Sequence, residues 1–160
     1  MIAGNRVHRP NGFTLIELLV TIAVISITAT IAVPNFQKLT ARNQLVGDFN
    51  QVLSGLNYAR SEAVKRREDI AVHVKDASGA VPWQLAVTSG ASGSLSTLRL
   101  LEGKDSDVNV TEFQVSFNPL GRRGNCIDGD TGDALNCSLS VSYEGEKSLY
   151  VEASGNISRP

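Results

Sequence analysis

Gly12-Phe13-Thr14-Leu15-Ile16-Glu17-Leu18-Leu19-Val20 opens an apolar run that carries no charge other than Glu17 before Pro34. A charged side chain at the centre of a membrane helix costs about 2.5–3.5 kcal/mol on insertion scales. A segment that served only as an anchor gains nothing from such a residue. The carboxylate therefore asks for a positive partner, and a partner inside an apolar layer points to assembly with another chain.

Working outward, Arg6, His8 and Arg9 precede the run with no acid among them. That is the flank expected on the cytoplasmic side of a membrane. Phe13 to Val33 is 21 residues, which as a helix spans about 30 Å, one hydrocarbon core. A cleaved secretory signal is the plainer reading of such a start. Its apolar core is about 7–15 residues and ends at small residues, whereas this run is longer and ends Val33-Pro34-Asn35-Phe36.

The chain has 160 residues and a net charge of −1. That length suits one domain plus an appendage, and that charge provides no global field for nucleic acid or acidic substrates. The two cysteines, Cys126 and Cys137, close a short loop late in the chain. In an exported domain such a pair reads as a disulfide.

Proline removes a helical hydrogen bond, so Pro34 is expected to interrupt or kink the helix. Beyond it, Leu45, Phe49, Val52, Leu56, Ala59 and Ala63 recur at alternating spacings of four and three, with Arg42, Asp48, Gln51 and Arg60 off the stripe. This predicts an amphipathic helix to about residues 65–67 with one packed face. Joined to the apolar run, it reaches about 80 Å and protrudes as a stalk. From Ile70 the period becomes two, with strands expected at 70–74, 83–87, 98–101, 115–117, 138–143 and 148–152. A Gly/Ser stretch at 89–96 reads as a mobile loop. One long helix followed by short antiparallel strands is an α+β domain with the helix laid on a small sheet.

Taken together, Gly12-Phe13-Thr14-Leu15-Ile16-Glu17 and the apolar helix up to Pro34 resemble the processing site of type IV pilins and type II secretion pseudopilins. The resemblance implies cleavage after Gly12 by a prepilin peptidase, methylation of the new N-terminus at Phe13, and pairing of Glu17 with a neighbouring subunit's amine. Asn57-Tyr58-Ala59-Arg60-Ser61-Glu62-Ala63-Val64-Lys65-Arg66-Arg67, Phe117-Asn118-Pro119-Leu120-Gly121 and Val151-Glu152-Ala153-Ser154-Gly155-Asn156-Ile157 are similar to the GspH/FimT branch of minor pilins and minor pseudopilins. On this reading residues 1–12 are a leader, 13–39 a transmembrane and assembly helix, and 40–160 a periplasmic domain. The partners implied are other pilin-like subunits, the peptidase and the bacterial inner membrane.

DNA is an alternative partner. Arg122 and Arg123 adjoin on an expected loop, and arginine forks match phosphate oxygens. Some FimT-like minor pilins that serve natural transformation bind DNA through a C-terminal Gly-Arg-x-Arg motif. The corresponding end here, Gly155-Asn156-Ile157-Ser158-Arg159, lacks the first arginine. Arg122, Arg123 and Arg159 are the candidates for that role.

The charged residues from Arg60 to Asp69 suit a helix C-terminus, where cations offset the dipole. Asp128-Gly129-Asp130-Thr131-Gly132-Asp133 resembles half of a calcium loop but lacks the closing glutamate, so no metal is expected. His8 falls in the leader, and His73 stands alone on a strand. No nucleophile elbow, phosphate-cradling glycine motif or zinc spacing occurs, and neither enzyme activity nor a cofactor is expected. Trp83, Phe113 and Phe117 read as core.

Overall fold

The computed structural model describes residues 12–76, 81–90, 96–104, 107–128, 137–143 and 145–159. Residues 1–11 of the proposed leader, the tip of the Gly/Ser stretch and the acidic loop beyond Asp128 lie outside these residues. The chain divides into two units, Met1–Lys38 and Leu39–Pro160.

Helix α1 (Leu15–Arg66) begins where Thr14 caps it, the Glu17 N–H donating to Thr14 Oγ1 at 3.2 Å. The helix continues through Pro34, where the sequence suggests an interruption or kink. Proline's fixed φ is compatible with helix, and its direct hydrogen-bonding loss is one N–H. Beside it the Asn35 side-chain amide donates to the Ile31 carbonyl at 3.2 Å. At the other end Arg67 takes a left-handed φ of 57° and stops the helix just after Lys65 and Arg66.

In the second unit the expected stripe is the packed face: Leu45, Phe49, Val52, Leu56, Ala59 and Ala63 are all buried. They share one core with two antiparallel sheets. The first is built from β1 (Ile70–Asp76), β2 (Trp83–Ser89), β3 (Ser96–Glu102), β5 (Phe113–Phe117) and β6 (Arg123–Asp128) in the order β3-β2-β1-β5-β6. Strand alternation places one row of side chains inward. Val72 lies between Val87 and Val115, and Val74 between Leu85 and Phe113. The second sheet runs β4 (Asn109–Val110), β7 (Ser138–Ser142), β8 (Glu146–Val151), β9 (Ile157–Ser158) and adds Val110, Leu139, Val141, Leu149 and Val151 to the core.

The six expected strands are present, each shifted or extended by a few residues. Strands β4, β6 and β9 were not expected. Two of them are two residues long, and β6 was masked by the glycines and charges that open it. The Cys126–Cys137 disulfide, with a Cα separation of 5.6 Å, ties β6 of the first sheet to the residue preceding β7 of the second.

Asp48 corrects the sequence reading. It was placed off the apolar stripe, yet it is 6% exposed and its Oδ2 accepts the Trp83 indole N–H at 3.0 Å. A buried indole N–H needs an acceptor, and Asp48 supplies it from the helix. Asp48→Ala removes the acceptor and is expected to destabilise the head by about 1–3 kcal/mol. Asp48→Asn retains an oxygen there and costs less. Thermal melts followed by Trp83 fluorescence check both, since the chain has one tryptophan.

Candidate assembly surfaces

The first unit presents an apolar surface. Phe13, Leu15, Ile16, Leu18, Leu19 and most of the large residues up to Phe36 are exposed in the isolated chain. Its hydroxyls do not interrupt that surface electrostatically. Thr21, Ser26, Thr28 and Thr30 each donate to a backbone carbonyl three or four residues earlier. The helix is long and apolar enough to cross a membrane by length and composition. Glu17 lies in its first turn. No described residue partners its carboxylate.

The three candidate arginines do not share one site. Arg122 sits in a tight turn in which Asn118 Oδ1 accepts the Leu120 and Arg122 N–H groups, each at 3.0 Å. Gly121 (φ +71°) lies in this turn, and its carbonyl accepts Arg60 Nε at 3.1 Å. Arg123 is not on a loop: it opens β6 and its Nη1 donates to the Val151 carbonyl at 3.0 Å, linking the two sheets. Arg159 stacks on Phe49, its guanidinium carbon 5.3 Å from the ring centroid, and Lys147 Nζ lies 5.5 Å from the same ring. Phe49 and Arg60, the helix residues that hold these two ends, stand eleven positions apart in α1, about 16 Å of helix rise. Arg123 is thus committed internally, Arg159 lies on Phe49, and Arg122 is fixed only through its backbone in the turn.

Glu62, part of the charged cluster expected at the helix end, is buried rather than solvated. It is 7% exposed and bonded to Arg66 Nε at 2.6 Å and Lys65 Nζ at 3.3 Å. The Arg66 hydrogen bond, opposed by desolvation and aided by Lys65, holds its carboxyl below the usual carboxylate value. His73 is half-buried on the sheet face away from the helix, in a groove of about 270 Å³ with Lys75, Gln84, Ala86 and Thr88. Burial, then the Lys75 charge, pushes its imidazole below the ordinary 6.5.

These two groups set the expected acid response. Below about pH 6.5 the unfolded chain protonates His73 more readily than the folded one does, so stability falls as pH drops through that region. His73→Gln is expected to remove this part of the decline. Glu62 contributes stability above its ordinary value of 4.5, and that contribution is lost as pH falls through its lower folded value. Denaturant midpoints between about pH 2 and 8 for wild type, His73→Gln and Glu62→Gln check both.

No cluster of three or more His, Cys, Asp or Glu residues suited to a metal occurs among the described residues. The half-loop at Asp128–Asp133 falls largely outside them. The chemistry on view is packing and pairing.

An apolar, capped helix that continues onto an antiparallel β head defines a type IV pilin-like structural subunit. The family profile described as Type II transport protein GspH matches residues 48–155, and the prokaryotic N-terminal methylation motif matches residues 8–33. The chain belongs to the GspH family. A fimbrial protein of Pseudomonas aeruginosa is 33% identical over 146 residues, covering 89% of this chain and 94% of its own length. A second fimbrial protein of that organism is 36% identical over 104 residues, or 64% of this chain and 60% of its own length. The crystal structure of the P. aeruginosa type IV minor pilin FimU shares the fold, with a TM-score of 0.57 at 21% identity over 76% of this chain and 92% of that one. Membership implies assembly with other pilin subunits, and the methylation motif with its apolar helix marks a membrane-anchored pilin.

Proposed function

We propose that this chain is a minor pilin or minor pseudopilin that enters, or primes, a type IV pilus-like filament. A prepilin peptidase cleaves after Gly12, and Phe13 becomes the methylated N-terminus. Residues 13–39 hold the subunit in the bacterial inner membrane with residues 40–160 in the periplasm, until the helix transfers into a filament core. Glu17 then meets the amine of a neighbouring subunit. Pro34, which follows the apolar run, belongs to the segment that makes this transfer.

One observation carries this reading: an exposed apolar helix whose first turn holds a single carboxylate with no described partner. An anchor alone does not account for that charge, whereas pairing with an amine in a dry filament core does.

A clean deletion strain, scored together for surface pili, DNA uptake and exoprotein secretion, tests the role. Loss of pili or DNA uptake with normal secretion assigns the subunit to a type IV pilus. Loss of secretion with normal pili assigns it to a type II secretion pseudopilus. Three unaffected phenotypes contradict the proposal. DNA binding is not adopted as a second reading, because Arg123 donates to the Val151 carbonyl and Arg159 stacks on Phe49, which leaves Arg122 as the one candidate whose guanidinium has no described partner.

A further inference from the structure

Unpaired strand edges are hazards that proteins usually close. Among the described residues, three of the four sheet edges here are short or tied down. Strands β4 and β9 are two residues long. Strand β6 is tied at Cys126 to Cys137 and at Arg123 to Val151. Strand β3 is different: seven residues, at the end of its sheet, with no backbone hydrogen bond on its outer side to any described residue.

The edge is usable over part of its length. The register with β2 shifts between Val87 and Thr88, which pair with Arg99 and Thr97, so Leu98 is the extra residue of a bulge. Beyond it, Arg99 to Glu102 pair in unbroken register with Val87 to Gln84. No proline or lysine guards this stretch. Its two charges do not guard it either. Arg99 turns inward over the Tyr58 ring, 5.2 Å from the centroid, and Glu102 accepts from Gln84 at 3.0 Å. Leu100, by contrast, is 48% exposed, on the face it shares with Ala86 and His73.

We propose that Arg99–Glu102 of β3 receives an extended strand from a neighbouring pilin-like subunit, a contact that rests on the filament reading above. The row of amides and carbonyls that no described residue pairs matches another extended backbone and little else. Cross-strand pairing then fixes the donor's side chains. An apolar residue lies against Leu100, and on the opposite face a carboxylate answers Arg99, which has no acidic partner among the described residues. A second copy pairing β3 with β3 is disfavoured. Two-fold pairing closes a dimer, whereas a filament needs contacts between different surfaces. The donor is therefore another segment, carrying an acid next to an apolar residue.

Hydrogen exchange of the full-length chain, compared between detergent micelles and sheared filaments, tests this. Assembly through the helix by itself leaves the β3 amides unchanged. Strand addition slows alternate amides within Arg99–Glu102 by about tenfold or more. Leu100→Lys, a charge on the edge, is expected to lower filament recovery about fivefold or more. Leu120→Lys, at a 76% exposed position in the Asn118–Arg122 turn, is expected to leave it unchanged. Unchanged β3 exchange in filaments that contain the wild-type chain overturns the strand contact and leaves the filament reading standing. Absence of the wild-type chain from filaments overturns both. Slow β3 exchange already present in micelles, accompanied by a dimer, overturns the donor assignment in favour of self-pairing.

Discussion

Glu17→Ala is expected to leave the chain inserted and its β head folded, yet to reduce its recovery in sheared filaments by roughly 100-fold. Insertion does not need the carboxylate, and removing a charge from an apolar segment makes insertion easier. The head does not need it either, since no described residue partners Glu17. The loss falls on assembly. Removing one member of a buried charge pair costs about 3–5 kcal/mol, because the surviving charge stays buried without compensation. Glu17→Gln, which keeps hydrogen-bonding capacity and loses the charge, is expected to fall between wild type and alanine. Immunoblots of sheared filaments against whole membranes provide the measurement. Normal incorporation of Glu17→Ala rules out the pairing role.

The second large effect belongs to Gly155. Its φ is +81°, where a side chain is strained, and an added Cβ would overlap the Gly121 carbonyl oxygen. That carbonyl cannot simply retreat. Gly121 is itself at φ +71° and its oxygen holds Arg60 of α1. Two left-handed turns are thus stacked on each other and fastened to the helix. Gly155→Ala adds about 1–2 kcal/mol of backbone strain and displaces a hydrogen bond worth about 1 kcal/mol. A fall in melting temperature of roughly 10 °C is expected. Gly47→Ala provides the contrast: it lies on α1 with nothing within 4 Å of the added carbon and is expected to stabilise by about 0.5–1 kcal/mol. Full-length protein in detergent, melted with Trp83 as the probe, separates the two. Equal melting temperatures contradict the packing described here.

The contrast between Gly155 and Glu17 indicates which features a sequence exposes. Glu17 stands out in the sequence because one charge in an apolar run has few explanations, and the residues around it form a contiguous motif; its pairing role is the proposal made above. The helix stripe from Leu45 to Ala63 was legible for a similar reason, since a period of 3.6 is a local property. Asp48 was not. Its role depends on Trp83, thirty-five positions away and brought opposite by the sheet. A buried acid resembles a solvent-facing one until its partner is placed. Arg123 illustrates the same limit. In the string Gly121-Arg122-Arg123-Gly124 the two arginines look equivalent, yet strand pairing sends one to the Val151 carbonyl and leaves the other on a turn. Strands β4 and β9 are too short to show a period. The disulfide was readable from cysteine count and compartment, but its use as a brace between two sheets required their arrangement.

The most direct test is the N-terminal mass of the chain recovered from sheared filaments. The account predicts a polypeptide that begins at Phe13, with one added methyl group and the apolar helix intact. A chain that begins at Met1, or one cut beyond Pro34, contradicts it. The first leaves no free amine at Phe13 for a neighbour's Glu17, and the second discards Glu17 itself.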